Sequence, residues 1–149
     1  MSLLGFLQSL GRPSSLHIEA EGKNHVSFTA FCGEGGEEEE EEEECGLLNV
    51  DTDREESLLK VAGVFVYSAY QRRGVATALY EAAAQRACQQ GLRLASTSRT
   101  KGAKSNDFWR KQAAKGRVDE VQVFGERDVW YILKNCETSL SGLKGKRRK

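Results

Sequence analysis

The stretch Val61-Ala62-Gly63-Val64-Phe65-Val66-Tyr67, then Ser68-Ala69-Tyr70, then Gln71-Arg72-Arg73-Gly74-Val75-Ala76, decides how this chain is read. Its first seven residues are β-branched, aromatic or small and carry no charge, which predicts a buried strand. The residues that follow, Thr77-Ala78-Leu79-Tyr80-Glu81-Ala82-Ala83-Ala84-Gln85-Arg86-Ala87-Cys88, are mostly strong helix formers and predict a helix. A tight loop with small residues at Gly74 and Ala76 joins the two. Amides at a helix start have no intrahelical acceptor, and the helix dipole is positive there. A strand, loop and helix of this kind therefore form an anion cradle, which the small residues let a phosphate approach closely. Arg72 and Arg73 add positive charge.

Downstream, Gly91 is placed to cap the helix in a left-handed conformation. Residues 92–95 predict a short strand, and 97–104 a polar, basic loop. Ser105, Asn106 and Asp107 offer N-cap side chains for a helix over 108–115, closed by Gly116. Residues 121–124 and 129–133 alternate as a final hairpin around 125–128. Upstream, 51–56 read as a polar turn or loop and 46–50 as a short strand. Residues 16–20 and 25–31 form an antiparallel hairpin around Gly22-Lys23-Asn24. Pro13 ends a short amphipathic helix over 1–10, whose apolar residues are Leu3, Leu4, Phe6, Leu7 and Leu10. The order predicts an α/β fold with a mixed, mostly antiparallel sheet flanked by helices.

The loop resembles the pyrophosphate-binding signature of the GCN5-related N-acetyltransferases, the GNAT family. Gln71, Gly74 and Ala76 fit it in order and in context. The order of elements from about Lys60 to Leu133 resembles the second half of the acyl-CoA N-acyltransferase fold. The N-terminal half is shortened, because the family usually places two helices between its first strands and there is little room for them here. The resemblance implies acetyl transfer from acetyl-CoA, as co-substrate, to a primary amine of a small molecule or protein. It implies that Val64, Phe65 and Val66 offer backbone to the pantetheine amides, and that Gln71, Arg72, Arg73, Gly74, Val75, Ala76 and Thr77 hold the pyrophosphate. Arg99, Lys101 and Lys104 are candidates for the 3′-phosphate of coenzyme A.

One position departs from the family. Phe108-Trp109 stands where the family commonly has Phe-Tyr with the tyrosine as proton donor, and indole N–H is no acid near neutral pH. Either the thiolate leaves unprotonated, since a thiol is a tolerable leaving group, or Tyr67, Tyr70 or Ser98 substitutes for the missing acid; Glu56, just before the signature strand where family members often carry a carboxylate, is the candidate base. The alternative reading is a catalytically silent module of the same fold that binds coenzyme A or a protein partner.

The 149 residues suit one domain over 1–135, followed by a basic tail over 136–149. The formal net charge is zero, yet Glu37 to Glu44 are consecutive glutamates, and the rest of the chain carries about +8. Like charges repel and leave nothing apolar to bury, so an acidic loop over 34–45 and the tail are expected to be disordered. The acid run suits a cationic amine acceptor through steering. Nucleic acid is not an expected partner, no apolar run is long enough for a membrane span, and a homodimer fits the family's habit. Cys32, Cys45, Cys88 and Cys136 show no C-x-x-C spacing, and with only two histidines no metal site is expected. Scattered cysteines predict free thiols, with a Cys32–Cys45 bridge across the acid run as the lesser option, and a cytoplasmic location, with the nucleus left open.

Overall fold

The computed structural model describes residues 11–33, 42–96, 107–122 and 129–134. The expected first helix, most of the acid run, the basic loop over 97–104, the last hairpin's turn and the tail lie outside the described residues.

Seven strands form one sheet in the order β1-β2-β3-β4-β5-β7-β6. They are β1 (Ser15–Glu21), β2 (His25–Gly33), β3 (Glu43–Asp53), β4 (Leu58–Val66), β5 (Arg93–Ala95), β6 (Val118–Gln122) and β7 (Val129–Leu133). Every pairing is antiparallel except β4 with β5. The predicted mixed, mostly antiparallel sheet is thus observed. Helix α1 (Val75–Gln89) packs across β1 to β5, and α2 (Asp107–Ala114) packs on α1. Both end on glycine at positive φ, Gly91 at 73° and Gly116 at 72°. Leu92 N donates to Ala87 O at 2.8 Å and Arg117 N to Gln112 O at 2.9 Å, returning the chain to the sheet.

Strand alternation builds the core on the helix side. Val26, Phe28 and Ala30 of β2, Leu48 and Val50 of β3, and Leu59 and Val61 of β4 are buried there against Val75, Leu79, Tyr80 and Ala83 of α1. Trp109 closes this core. It is fully buried, stacked on Tyr131 at 6.2 Å and edge-on to Tyr80 and Phe108. The opposite residues, among them Ser27, Thr29, Leu47 and Asn49, are only half-buried, and Phe65 is exposed. No element covers that face among the described residues.

Two expectations need correction. β3 runs for 11 residues from Glu43, so the end of the predicted acidic loop over 34–45 belongs to the sheet, and the strand read at 46–50 extends both ways. The free-thiol expectation fails. Cys32 and Cys45 are joined, with both residues fully buried, Cys88 is also disulfide-bonded, and no described cysteine is free. Register explains the bridge: Ala30 pairs with Gly46 and Phe31 with Glu44, so Cys45 is an extra residue that bulges towards β2.

Candidate active site

The site begins where the sheet's one parallel pairing stops. β4 pairs β5 only through Leu58–Arg93, Leu59–Leu94 and Lys60–Ala95. Ser96 then turns to β7, its amide donating to Tyr131 O at 2.8 Å. From Ala62 to Val66, β4 has no strand partner on its β5 side among the described residues. A second bulge marks this change: Asn49 pairs with Gly63 and Val50 with Val61, which leaves Ala62 as the extra residue. A bulge re-aims backbone groups and often stands beside a functional site. The only sequence hint was a glycine inside a strand pattern.

β4 runs directly into the predicted loop. Tyr70 N donates to Tyr67 O at 2.8 Å, closing a short 3-10 turn over Ser68–Tyr70. Arg72 and Gly74 take positive φ, 65° and 90°. Gly74 is the helix N-cap, and the first amide to bond inside α1 is Ala78 N, to Gly74 O at 3.0 Å. The amides of Val75, Ala76 and Thr77 precede it and donate to no backbone carbonyl of the described residues. The first turn of α1 carries no acidic side chain. The positive end of the dipole is thus left for an external anion. These features fit the phosphates of coenzyme A.

The predicted cofactor residues gather at this end of the sheet, with divided tasks. Val64 and Val66 pack on the core, while Phe65 points to the uncovered face with 56 % of its surface exposed. Gln71 Nε2 donates to Val66 O at 2.9 Å, so its amide braces the loop against the strand end. Arg72 is exposed. Arg73 is half-buried and turned inward: its Nε donates to Gly11 O at 2.9 Å, and its guanidinium lies 5.5 Å from the Tyr70 ring centroid. Val75 is buried, with Ala76 and Thr77 half-buried.

Of the three catalytic candidates, Tyr67 and Tyr70 stand at this end and Glu56 does not. Tyr67 is exposed on the uncovered face, edge-on to Phe65 at 5.1 Å, and its hydroxyl donates to Glu44 at 3.4 Å. Tyr70 is buried and donates to Glu43 Oε2 at 2.8 Å. The last two glutamates of the acid run thus divide between the two faces, each holding one tyrosine. Glu56 lies in the turn before β4, its amide donating to Asp53 Oδ1 at 3.1 Å. The length of β4 separates Glu56 from the tyrosines by about 26 Å.

Sequence reasoning passed over the polar residues opposite the β4 bulge and one cation at the cradle. Ser27 Oγ donates to Asn49 Oδ1 at 2.7 Å, His25 Nδ1 meets Asp51 at 2.5 Å, and Lys60 Nζ meets Asp53 at 2.8 Å. The Lys60 ammonium and the Glu56 amide hold the Asp53 carboxyl below its usual range. Only strand register brings these groups together, so no local motif announced them. Arg12 lies against Gly74, and a Cβ built on that glycine would stand 3.4 Å from Arg12 Nε.

A family model described as the acetyltransferase (GNAT) family matches residues 13–113. None of the curated proteins matches. Three solved chains do, one titled the crystal structure of Tetrahymena GCN5. That chain is similar with a TM-score of 0.53 at 12 % identity, over 79 % of this chain and 73 % of its own. The matched residues run from Pro13 through β1 to β5, the cradle and most of α2, about two thirds of the chain, and on that ground it belongs to the GNAT acetyltransferase family.

Proposed function

We propose that this domain transfers an acetyl group from acetyl-CoA to a primary amine. The supporting observation is the continuity of two features among the described residues: a length of β4 without a strand partner on one side, running into a helix start whose first amides donate to no backbone carbonyl and whose first turn has no carboxylate. In this reading the backbone of Val64, Phe65 and Val66 pairs with the pantetheine amides as a further strand would. The amides of Val75, Ala76 and Thr77 hold the pyrophosphate, with Arg72 beside them. The thioester then lies along β4 towards the bulge, where a backbone amide donates to its carbonyl oxygen as that oxygen gains charge. The neutral amine approaches over the uncovered face. Its nitrogen attacks the carbonyl carbon, a C–N bond forms, the C–S bond breaks, and coenzyme A leaves as thiolate while the amine's proton passes to solvent or a nearby base. Tyr67 is the exposed phenol on that face, but five strand residues, roughly 16 Å, separate it from the bulge, so in this reading the thiolate leaves unprotonated and Tyr67 stands beside the pantetheine arm. Tyr70 serves to position the loop.

Trp109 favours a second reading. Its burial leaves no acid at the family's usual place, so a silent module that binds coenzyme A is the alternative. Calorimetric titration with acetyl-CoA, beside a Gly74→Asp variant, tests the shared part: micromolar binding lost in the variant supports the cradle. Thiol release with a panel of amines separates the readings. Release above background supports the transferase, and tight binding without release for any amine supports the silent module.

A further inference from the structure

Strand alternation turns Leu16, Ile18 and Ala20 of β1 to the helix side of the sheet, where their partners Cys32, Ala30 and Phe28 are buried. Yet Leu16 and Ile18 are only half-buried, and Ala20 is exposed. The nearest helix explains this, for α1 flanks β1 from one side only. Ala78 and Ala82, one turn apart on α1, face the strand across an open groove. One part of the groove, about 390 Å3, lies between Arg12, Leu16 and Ala78. The next, about 260 Å3, lies between Ala20, Ala82 and Gln89. Ile18 borders both, so the two follow one another along α1.

The walls are small and apolar, and both ends are closed. Arg12 lies against Gly74 at one end, and Arg86 Nη2 donates to Gly22 O at 3.3 Å at the other. Helix α2 packs elsewhere. It meets α1 at Tyr80, which points roughly 200° away from Ala78 and from Ala82 around the helix axis.

The chain itself supplies a match in length, pattern and position. Leu3, Phe6, Leu7 and Leu10 fall on one stripe of a helix, and residues 1–10 carry no charged side chain. So short a helix is not stable alone in water, so the stripe needs a surface. Ten helical residues span about 15 Å, and Ala78 to Gln89 span about 16 Å. Gly11 O accepts from Arg73 Nε at 2.9 Å, which fixes residue 10 within about 3.8 Å of Gly11 at the cradle end. β1 runs along α1 in the same direction, since Leu16 lies by Ala78 and Gly22 by Arg86. The four residues Gly11 to Ser14 before β1 are an ordinary length for a helix-to-strand connection. A segment that turns back there runs antiparallel to both.

We infer that the groove between β1 and α1 is the seat of residues 1–10, laid as a helix with Leu3, Phe6, Leu7 and Leu10 against Leu16, Ile18, Ala78 and Ala82. The segment covers the half-buried side of β1 and pins Gly11, whose carbonyl steadies Arg73. Nothing in this seat depends on the acetyl-CoA reading.

The test is amide hydrogen exchange and thermal unfolding of the full chain, its Leu7→Ser and Ala82→Arg variants and the pair combined. Ala20→Arg, on an exposed position, blocks the groove without touching the core. Amides of residues 5–10 should exchange at least about tenfold more slowly than an unstructured chain. Ala82→Arg and Ala20→Arg should abolish that protection while the amides of α1 keep theirs. The combined variant should melt no lower than the worse of its two single variants, whereas effects at independent sites add. Residues 5–10 unprotected in the wild type overturn the seat. So does protection that survives folded Ala20→Arg, with melting effects that add. Protection that rises with protein concentration overturns it in favour of a segment exchanged between two copies.

Discussion

At the scale of single residues, small side chains were easier to read than charged ones. Gly74 was legible because a left-handed N-cap needs it, and Ala76 because the helix start must stay open. Arg73 was not, since the same cation can face a ligand or brace a loop, and only the fold showed it reaching Gly11. Tyr70 and Glu43 form a similar hidden brace. Tyr70→Phe should cost about 1.5 kcal/mol, because a partly buried carboxylate loses its donor. It should also weaken acetyl-CoA binding with little change in kcat, and an unchanged melting temperature would count against the brace. His17 gives a pH dependence. The Glu19 hydrogen bond, with further help from Glu42, raises its pKa above 6.5. A histidine raised on folding stabilises fully below its unfolded pKa and loses that contribution as pH rises through the folded one. His17→Gln should therefore lower the melting temperature near pH 5.5 and leave it nearly unchanged near pH 9.

At the scale of elements, strands and helices with clear periodicity lay close to where the sequence put them, because burial on one face enforces the period. β3 was misjudged in length because Glu43 and Glu44 read as part of the acid run, yet register with β2 and the two tyrosines draws them into the sheet. The Cys32–Cys45 bridge was misjudged because a spacing of 13 residues says nothing about which positions oppose each other. This bridge closes a loop that contains the glutamates, so it opposes their mutual repulsion. Replacing both cysteines by alanine should cost about 3 kcal/mol, a fall of about 10 °C in melting temperature for a domain of this size. Added salt should restore more stability to the variant than to the wild type, because it screens the repulsion that the bridge holds in check. Equal salt responses would separate the bridge from the acid run.

At the scale of the molecule, among the described residues helices cover one face of the sheet and none covers the other, and charge follows the division. Glu42 and Glu44 lie by the uncovered face with the exposed pair Phe65 and Tyr67, while the arginines stand at the cradle. A cationic acceptor should be drawn to the first and the phosphates to the second. KM for a polyamine should then rise several-fold between low and high salt, while KM for a singly charged amine stays nearly constant. Phe65→Ala should raise the polyamine KM without lowering the melting temperature, since the ring is mostly in water. Loss of stability instead would mean that the ring packs rather than binds. The shortened N-terminal half was legible from the three-residue turn between β1 and β2, but which face this uncovers emerged only from the sheet.

The length of β4 that has no strand partner on one side among the described residues has a consequence for descent. A groove lined by main chain is hard to lose through point substitution, since nearly every residue brings the same donors and acceptors. An outward side chain such as Phe65 can be exchanged without loss of the groove, whereas Val64 and Val66 are fixed by core packing and proline would delete a donor. The fold that carries this strand is still similar at 12 % identity.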